Sequence, residues 1–149
     1  MLEILPMPND DLVIETVSRW NADFWKEQGA ELSTQIKHYK ELLSSDDNVF
    51  ALVAYYDGIL AGSICLEKQN GIYLGAGLFV PKEMRKHRVG LSLIEAMKSH
   101  AAKLGVDKIY VWTPNLTRLY TYYGWVVIQE KTEHLGMLVD ILVLNIKGE

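Results

Sequence analysis

The side chains with the strongest chemical character stand together in one turn. Lys82, Arg85, Lys86 and Arg88 crowd residues 80–90, Val-Pro-Lys-Glu-Met-Arg-Lys-His-Arg-Val-Gly, in a chain of formal net charge -4. An apolar run over residues 72–80 precedes this turn, and a helical pattern over residues 89–104 follows it. A basic turn that opens a helix suits an anion. The first backbone N–H groups of the helix lack intrahelical partners, and the positive end of the helix dipole points the same way. The anion that fits is a phosphate. Two phosphate loops fail on spacing. No Gly-Lys-Ser/Thr run exists for a nucleotide-binding P-loop. A dinucleotide fingerprint needs three glycines between strand and helix, whereas Gly75 and Gly77 lie inside the strand.

The other reactive residues are scattered. Cys65 is the single cysteine, sits in an apolar run and reads as a small buried hydrophobe. It can form no intramolecular disulfide, and a reducing cytoplasm suits it. His38, His100 and His134 read as surface or partly buried residues. No His/Cys/Asp/Glu spacing resembles a metal site, so no metal is expected. At 149 residues, 49% hydrophobic and 23% charged, the composition is that of a globular protein and not a disordered one. The acidic balance argues against a nucleic-acid partner. No basic-then-apolar leader is visible, and the longest apolar runs, 49–56 and 137–146, are too short to cross a bilayer. A cytoplasmic protein with no membrane partner is expected.

Elements must hold these residues in place. Residues 2–7 predict a short first strand, limited by Pro6 and Pro8. Asn9, Asp10 and Asp11 supply cap chemistry for a helix with Leu12, Val13, Val17, Trp20, Phe24 and Trp25 on one face, ended by Gly29. Ser33 is predicted to cap a second helix running through Ile36, Tyr39, Leu42 and Leu43. Strands over 49–56, 59–67 and 72–80 follow, joined by Asp57-Gly58 and Gln69-Asn70-Gly71, and predict an antiparallel meander. Gly75 and Gly77 mark a bulge or the close approach of another backbone or a ligand. After the basic turn, Leu93, Ile94, Met97, Ala101 and Leu104 line one face of a helix closed by Gly105. Residues 107–113 form a strand reached through that helical crossover, hence parallel to the strand before it. A short helix over 116–123 and strands over 125–131 and 137–146 complete the chain. The fold class is α/β: one domain over 1–149, built on a mixed, mostly antiparallel sheet of about seven strands with helices on both faces.

The basic turn resembles the acyl-CoA loop of the GNAT family of N-acetyltransferases. That loop reads Arg or Gln, two variable residues, Gly, one variable residue, then Gly or Ala. Here Arg85-Lys86-His87-Arg88-Val89-Gly90 keeps both outer anchors and carries Arg88 where the middle glycine usually stands. If residue 88 needs positive φ, an arginine there is mildly strained; if it lies in the first helical turn, it costs nothing and adds a charge. Leu78-Phe79-Val80-Pro81 resembles the end of the family's fourth strand. Residues 115–125, with Asn115, Leu119-Tyr120 and Gly124-Trp125, resemble its Asn…Leu-Tyr-x-x-x-Gly-Phe/Trp segment. Val126-Val127-Ile128, the Trp20…Trp25 helix and the Gly62-Ser63 strand fall in the same order, so the likeness spans nearly the whole chain.

The resemblance implies a GNAT-like fold and transfer of an acetyl or other acyl group from acetyl-CoA to a primary amine, by direct attack in a ternary complex. Backbone N–H groups from Lys86 through Val89 and Gly90 to Leu91 would cradle the pyrophosphate. Lys82, Arg85, Lys86 or Arg88 would meet the 3′-phosphate, and His87 would touch the cofactor. The amide-rich pantetheine arm would pair with the backbone of Leu78, Phe79 and Val80 as an added strand. Tyr120 is implied as acid or hydrogen-bond donor to the leaving thiolate. A phenol titrates near about 10 and a thiol near about 8.5, so donating a hydrogen bond is easier than giving up the proton. The Val80 N–H is the candidate oxyanion donor. The base stays open among Glu67, Tyr110 and a relayed water. Asn115 either caps the short helix or touches the cofactor arm, with Thr113 as competitor. Trp20, Phe24 and Trp25 read first as core, in a region that borders the acceptor pocket in the family. Glu27, Glu31, Glu133 and Asp140 could attract a cationic amine. The acceptor is a small-molecule or peptide amine, and a homodimer is compatible. The rival reading is a non-catalytic CoA-binding or interaction module on the same fold.

Overall fold

Alternation along the strands decides the architecture. The computed structural model describes residues 1–45 and 47–146. Along the chain run β1 (Leu2–Pro6), α1 (Asp11–Phe24), α2 (Leu32–Leu43), β2 (Phe50–Tyr56), β3 (Ile59–Gln69) and β4 (Ile72–Phe79). A 3₁₀ turn, Lys82–His87, leads into α3 (Val89–Lys103), and β5 (Lys108–Thr113), α4 (Thr117–Tyr122), β6 (Val126–His134) and β7 (Met137–Asn145) follow. Ala51, Val53 and Cys65 turn to one face of the sheet and pack with Ile14, Val17, Tyr39 and Leu42 of α1 and α2. Leu52, Ala54, Ile64 and Leu66 turn to the other and pack with Val89, Leu93, Ile94, Met97 and Ala101 of α3. Successive strand side chains point to opposite faces, so a strand that is apolar throughout needs helical cover on both.

The sheet has seven strands in the order β1-β2-β3-β4-β5-β7-β6. Every neighbouring pair is antiparallel except β4 and β5, which are parallel across the α3 crossover. The meander, the crossover and the two-sided helical cover agree with the sequence reading. The insertion of β7 between β5 and β6 has no counterpart in that reading, because pairing order between distant strands leaves no local signal. Asp10 caps α1, its carboxylate accepting from Leu12 N and Val13 N at 2.9 and 3.2 Å. Ser33 does not cap α2. The cap is Glu31, through its backbone conformation alone, and Ser33 falls inside the first turn. Gly29 takes φ 92° and closes a single 3₁₀ turn, Lys26–Gln28, that follows α1.

Candidate active site

The two halves of the sheet part company at β4. β4 pairs with β5 only at Leu74↔Tyr110 and Gly75↔Val111. Beyond Gly75 the strands diverge and leave the backbone of residues 76–79 without a β5 partner. On its other side β4 bulges: the register with β3 shifts between Ser63↔Phe79 and Cys65↔Ala76. Two glycines permit this. A Cβ at Gly75 would stand 3.0 Å from Met97 Cε and 3.1 Å from Val111 Cγ1. At Gly77, φ is 64°, and a Cβ would stand 2.8 Å from the Tyr39 hydroxyl. So α3 presses on one face of the strand, α1 and α2 press on the other, and a larger residue fits neither. Ser63 Oγ donates to Gly77 O at 3.2 Å and fixes the bulge.

The splay opens a cleft of about 450 Å³ on the side of the basic turn, floored by Leu78, Phe79 and Val80 and walled by Leu91, Asn115 and Leu119. Arg85, Arg88 and Gly90 line its mouth. Arg85 Nε donates to Val80 O at 2.8 Å, which ties the turn to the end of β4. Arg88 adopts φ 59° and ψ 27°, the left-handed conformation. Of the two local conformations open to residue 88, the chain takes the one that glycine prefers. Its carbonyl accepts from Ser92 N at 3.0 Å and starts α3, yet no side chain caps the helix. The first N–H groups of α3 therefore stay available to an anion. Gly90 adds to this. The nearest atom to a Cβ there would be Val80 Cγ2, at 3.8 Å, so the protein's own packing does not demand glycine. Its small size bares the backbone toward the cleft. Lys86, His87 and Val89 do not line the cleft. Val89 is a core residue. The His87 ring stacks on Tyr56 at 4.0 Å and 14°, which anchors the turn to β2.

Where the strands diverge, the cleft continues into a narrower space lined by Gly75, Ala76, Gly77, Trp25, Asn115 and Tyr120. Tyr120 is buried on α4 and meets Trp125 edge-on at 5.1 Å. Burial alone pushes its phenol above the ordinary tyrosine range; no neighbouring charge or hydrogen bond acts on it. It is a neutral donor at the edge of that space. α4 is held at its N-terminal end. Thr113 Oγ1 accepts from Asn115 N at 3.3 Å and Leu116 N at 2.9 Å and shapes the turn before α4, whose own N-terminus has no side-chain cap, so the Asn115 side chain is left to the cleft. Thr117 Oγ1 donates to Asp140 Oδ2 at 2.6 Å, and Asp140 Oδ1 accepts from Lys131 N at 3.0 Å. These two hydrogen bonds hold the Asp140 carboxyl below its usual range. Asp140 is thus a clamp on α4, engaged by Thr117 and Lys131.

Past Gly77 the space reaches the opposite face of the sheet. A cavity of about 230 Å³ there is walled by Trp25, Trp112 and His134, with Glu67 and Gln69. His134 meets Trp112 edge-on at 4.6 Å and Trp25 at 6.3 Å. An adjoining cavity of about 440 Å³ runs beneath α2, where His38, Cys65 and Glu67 face it. Glu67 accepts from Gln69 Nε2 at 3.2 Å. Asn21 Nδ2 donates to the buried Tyr39 hydroxyl at 2.9 Å, beneath Gly77. Tyr110, the other base considered, pairs with Leu74 where the strands still touch. Asn21, Trp112 and His134 escaped the sequence reading. The period-2 spacing Cys65-x-Glu67 was the available signal for a shared strand face.

A sheet split beside a basic helix start, with cavities on both sides of the split and a neutral phenol at the junction, defines the class of fold. The sequence model described as "Acetyltransferase (GNAT) domain" matches residues 15–139. The chain belongs to the GNAT acetyltransferase family; it is an acetyl-CoA-dependent N-acetyltransferase with acetyl-CoA as cosubstrate. Among curated proteins no sequence match is found. Solved structures share the fold at low identity. An aminoglycoside 6′-N-acetyltransferase complexed with coenzyme A superposes with TM-score 0.81 at 16% identity, covering 99% of this chain and 98% of that one. The aminoglycoside 6′-N-acetyltransferase from Enterococcus faecium gives 0.76 at 15% identity, over 99% and 98%. A GNAT acetyltransferase from Staphylococcus aureus MU50 gives 0.75 at 17% identity, over 99% and 100%. Among the described residues, no helix is long and apolar enough to cross a membrane.

Proposed function

We propose that the protein acetylates a small cationic primary amine by direct transfer, with Tyr120 donating a hydrogen bond to the departing thiolate and Glu67 taking the proton from the amine. One observation carries this reading. The cleft at the basic turn and the cavity holding Glu67 reach the same point, Gly75 to Gly77, from opposite faces of the sheet. Acetyl-CoA would lie with its phosphates on the Arg88–Leu91 backbone and its arm along residues 78–80, replacing the missing β5 partner. The amine, deprotonated by Glu67, attacks the thioester carbonyl. The new C–N bond forms, the C–S bond breaks, and the electron pair leaves on sulfur. The Val80 N–H is the donor proposed for the oxyanion. Because burial raises the Tyr120 phenol, full proton transfer from it to a thiolate is uphill, so its role is to donate a strong hydrogen bond while solvent supplies the thiol proton. Products are the amide, free CoA thiol and one proton.

The acceptor's class follows from the walls of its cavity. Trp25 and Trp112 offer aromatic faces and Glu67 a negative charge, a combination that favours a compact cation. Two fold neighbours are aminoglycoside acetyltransferases, and amines of that kind are the first to test. The decisive variant is Tyr120→Phe. It should lower kcat by about 100-fold, the usual cost of one donor to a developing charge, and leave the KM for acetyl-CoA within about threefold. An unchanged kcat, or equal losses in both constants, would remove Tyr120 from the chemistry.

A further inference from the structure

Two side chains of one strand face and a third from a distant helix converge where α2 crosses β3. Cys65 and Glu67 are two apart on β3 and so project to the same face. α2 crosses that face and brings His38 down on them. The ligating atoms of His38, Cys65 and Glu67 all lie within 4.8 Å of one another. Sulfur, imidazole nitrogen and carboxylate oxygen in one cluster make a donor set suited to a borderline-soft first-row divalent ion, and poorly suited to magnesium or calcium. A tetrahedral zinc ion with bonds of about 2.0 to 2.3 Å sets its ligands about 3.5 Å apart. His38 and Glu67 are half-buried side chains at the wall of an open cavity, so rotamer changes at those two can close the remaining distance around a fixed sulfur.

The surroundings support a site. Cys65 is held in place by core packing with Tyr39 and Val53. The Tyr39 hydroxyl accepts from Asn21 Nδ2, packs in the same cluster as Cys65 and faces the same spot beneath Gly77 as the sulfur, so polar groups stand close behind the sulfur ligand. The cavity beyond leaves a fourth coordination position open to water or to an entering amine.

We propose that His38, Cys65 and Glu67 form a site for one zinc-class divalent cation, and that the bound ion competes with the acceptor amine. The ion replaces the thiol proton, which goes to solvent, and engages the carboxylate that the amine would otherwise meet. It is an inhibitory ligand, and transfer itself needs no metal. The inhibition rests on the proposed acceptor position of Glu67; the binding does not.

The test is a titration of the full chain with Co²⁺, which reports a thiolate ligand by a sulfur-to-metal charge-transfer band in the near ultraviolet. One equivalent should bind with that band, and Zn²⁺ should displace it. Cys65→Ser should abolish the band, while His38→Gln, at a half-buried position that folding tolerates, should weaken binding by at least about tenfold. Zn²⁺ should inhibit wild-type turnover competitively with the amine, reversibly on chelation, and spare Cys65→Ser. Absence of the band, or its persistence in Cys65→Ser, overturns the site. Tight binding with unimpaired turnover overturns the competition. Since the optical signal needs no catalysis, the binding result does not depend on whether Tyr120 and Glu67 act as proposed.

Discussion

At the scale of single residues, Arg88 holds the sharpest conflict. Its φ of 59° is a conformation in which an L side chain crowds its own carbonyl, at a cost of roughly 1 to 2 kcal/mol. Glycine would relieve this, yet the guanidinium adds a cation at the mouth of the cleft beside Arg85. The two effects can be separated. Arg88→Gly should raise the free energy of unfolding, and with it the thermal midpoint, by up to about 1 kcal/mol once the greater freedom of glycine in the unfolded chain is subtracted. It should also raise the KM for acetyl-CoA about fivefold, because an exposed charge pair contributes about 1 kcal/mol at most. Arg88→Ala should raise the KM equally with no gain in stability. Melting curves and initial rates on the two variants check this, and a KM unmoved in both would mean that Arg88 does not face a phosphate.

At the scale of elements, α4 illustrates what the sequence could and could not tell. Its short length, its glycine stop and the position of Tyr120 were all legible, because caps and stops are local. The Thr117–Asp140–Lys131 clamp was not, since it joins positions 23 and 9 residues apart on three elements. Gly75 and Gly77 show the same division. Two glycines inside a strand announced a bulge, but Met97 on one side and Tyr39 on the other, which make glycine necessary, became visible only after α2 and α3 were docked. The cavity proposed for the acceptor was hardest to read for the same reason, as Glu67, Trp112 and His134 come from three different strands. The clamp carries its own expectation. Asp140→Ala should loosen α4 and displace Tyr120, lowering kcat by roughly tenfold, since small misplacements of a donor are costly, while the KM for acetyl-CoA changes little. The pH sign follows from the depressed folded-state value of the Asp140 carboxyl. Its contribution is present above the unfolded pKa of about 3.9 and is lost as pH falls through the lower folded value. The wild type should therefore be more stable than the variant above that range, and their acid limbs should converge below it.

At the scale of the whole molecule, the sheet is two half-sheets joined at a narrow neck. β1 to β4 form one half and β5 to β7 the other, and only Leu74↔Tyr110 and Gly75↔Val111 connect them by strand pairing. Met97, fully buried against Gly75 and Val111, bridges the neck from the α3 side. On the proposed binding mode, a cosubstrate in the gap beyond the neck would restore strand-like pairing to residues 76–79 and cover the α3 start together. It should thus stabilise the molecule as a whole, by about 2.7 kcal/mol at a concentration 100 times its Kd. ATP separates the two parts of this effect. Its phosphates can meet the α3 N-terminus, but it has no amide-bearing arm to lie along β4. Acetyl-CoA and CoA should therefore give large, similar rises in the unfolding midpoint, and ATP and NAD small ones. Hydrogen exchange should slow at residues 76–80 with the CoA species alone. Equal shifts with ATP would reduce the site to its phosphate cradle, and unchanged exchange at 76–80 would mean that the open edge of β4 is not where the arm binds.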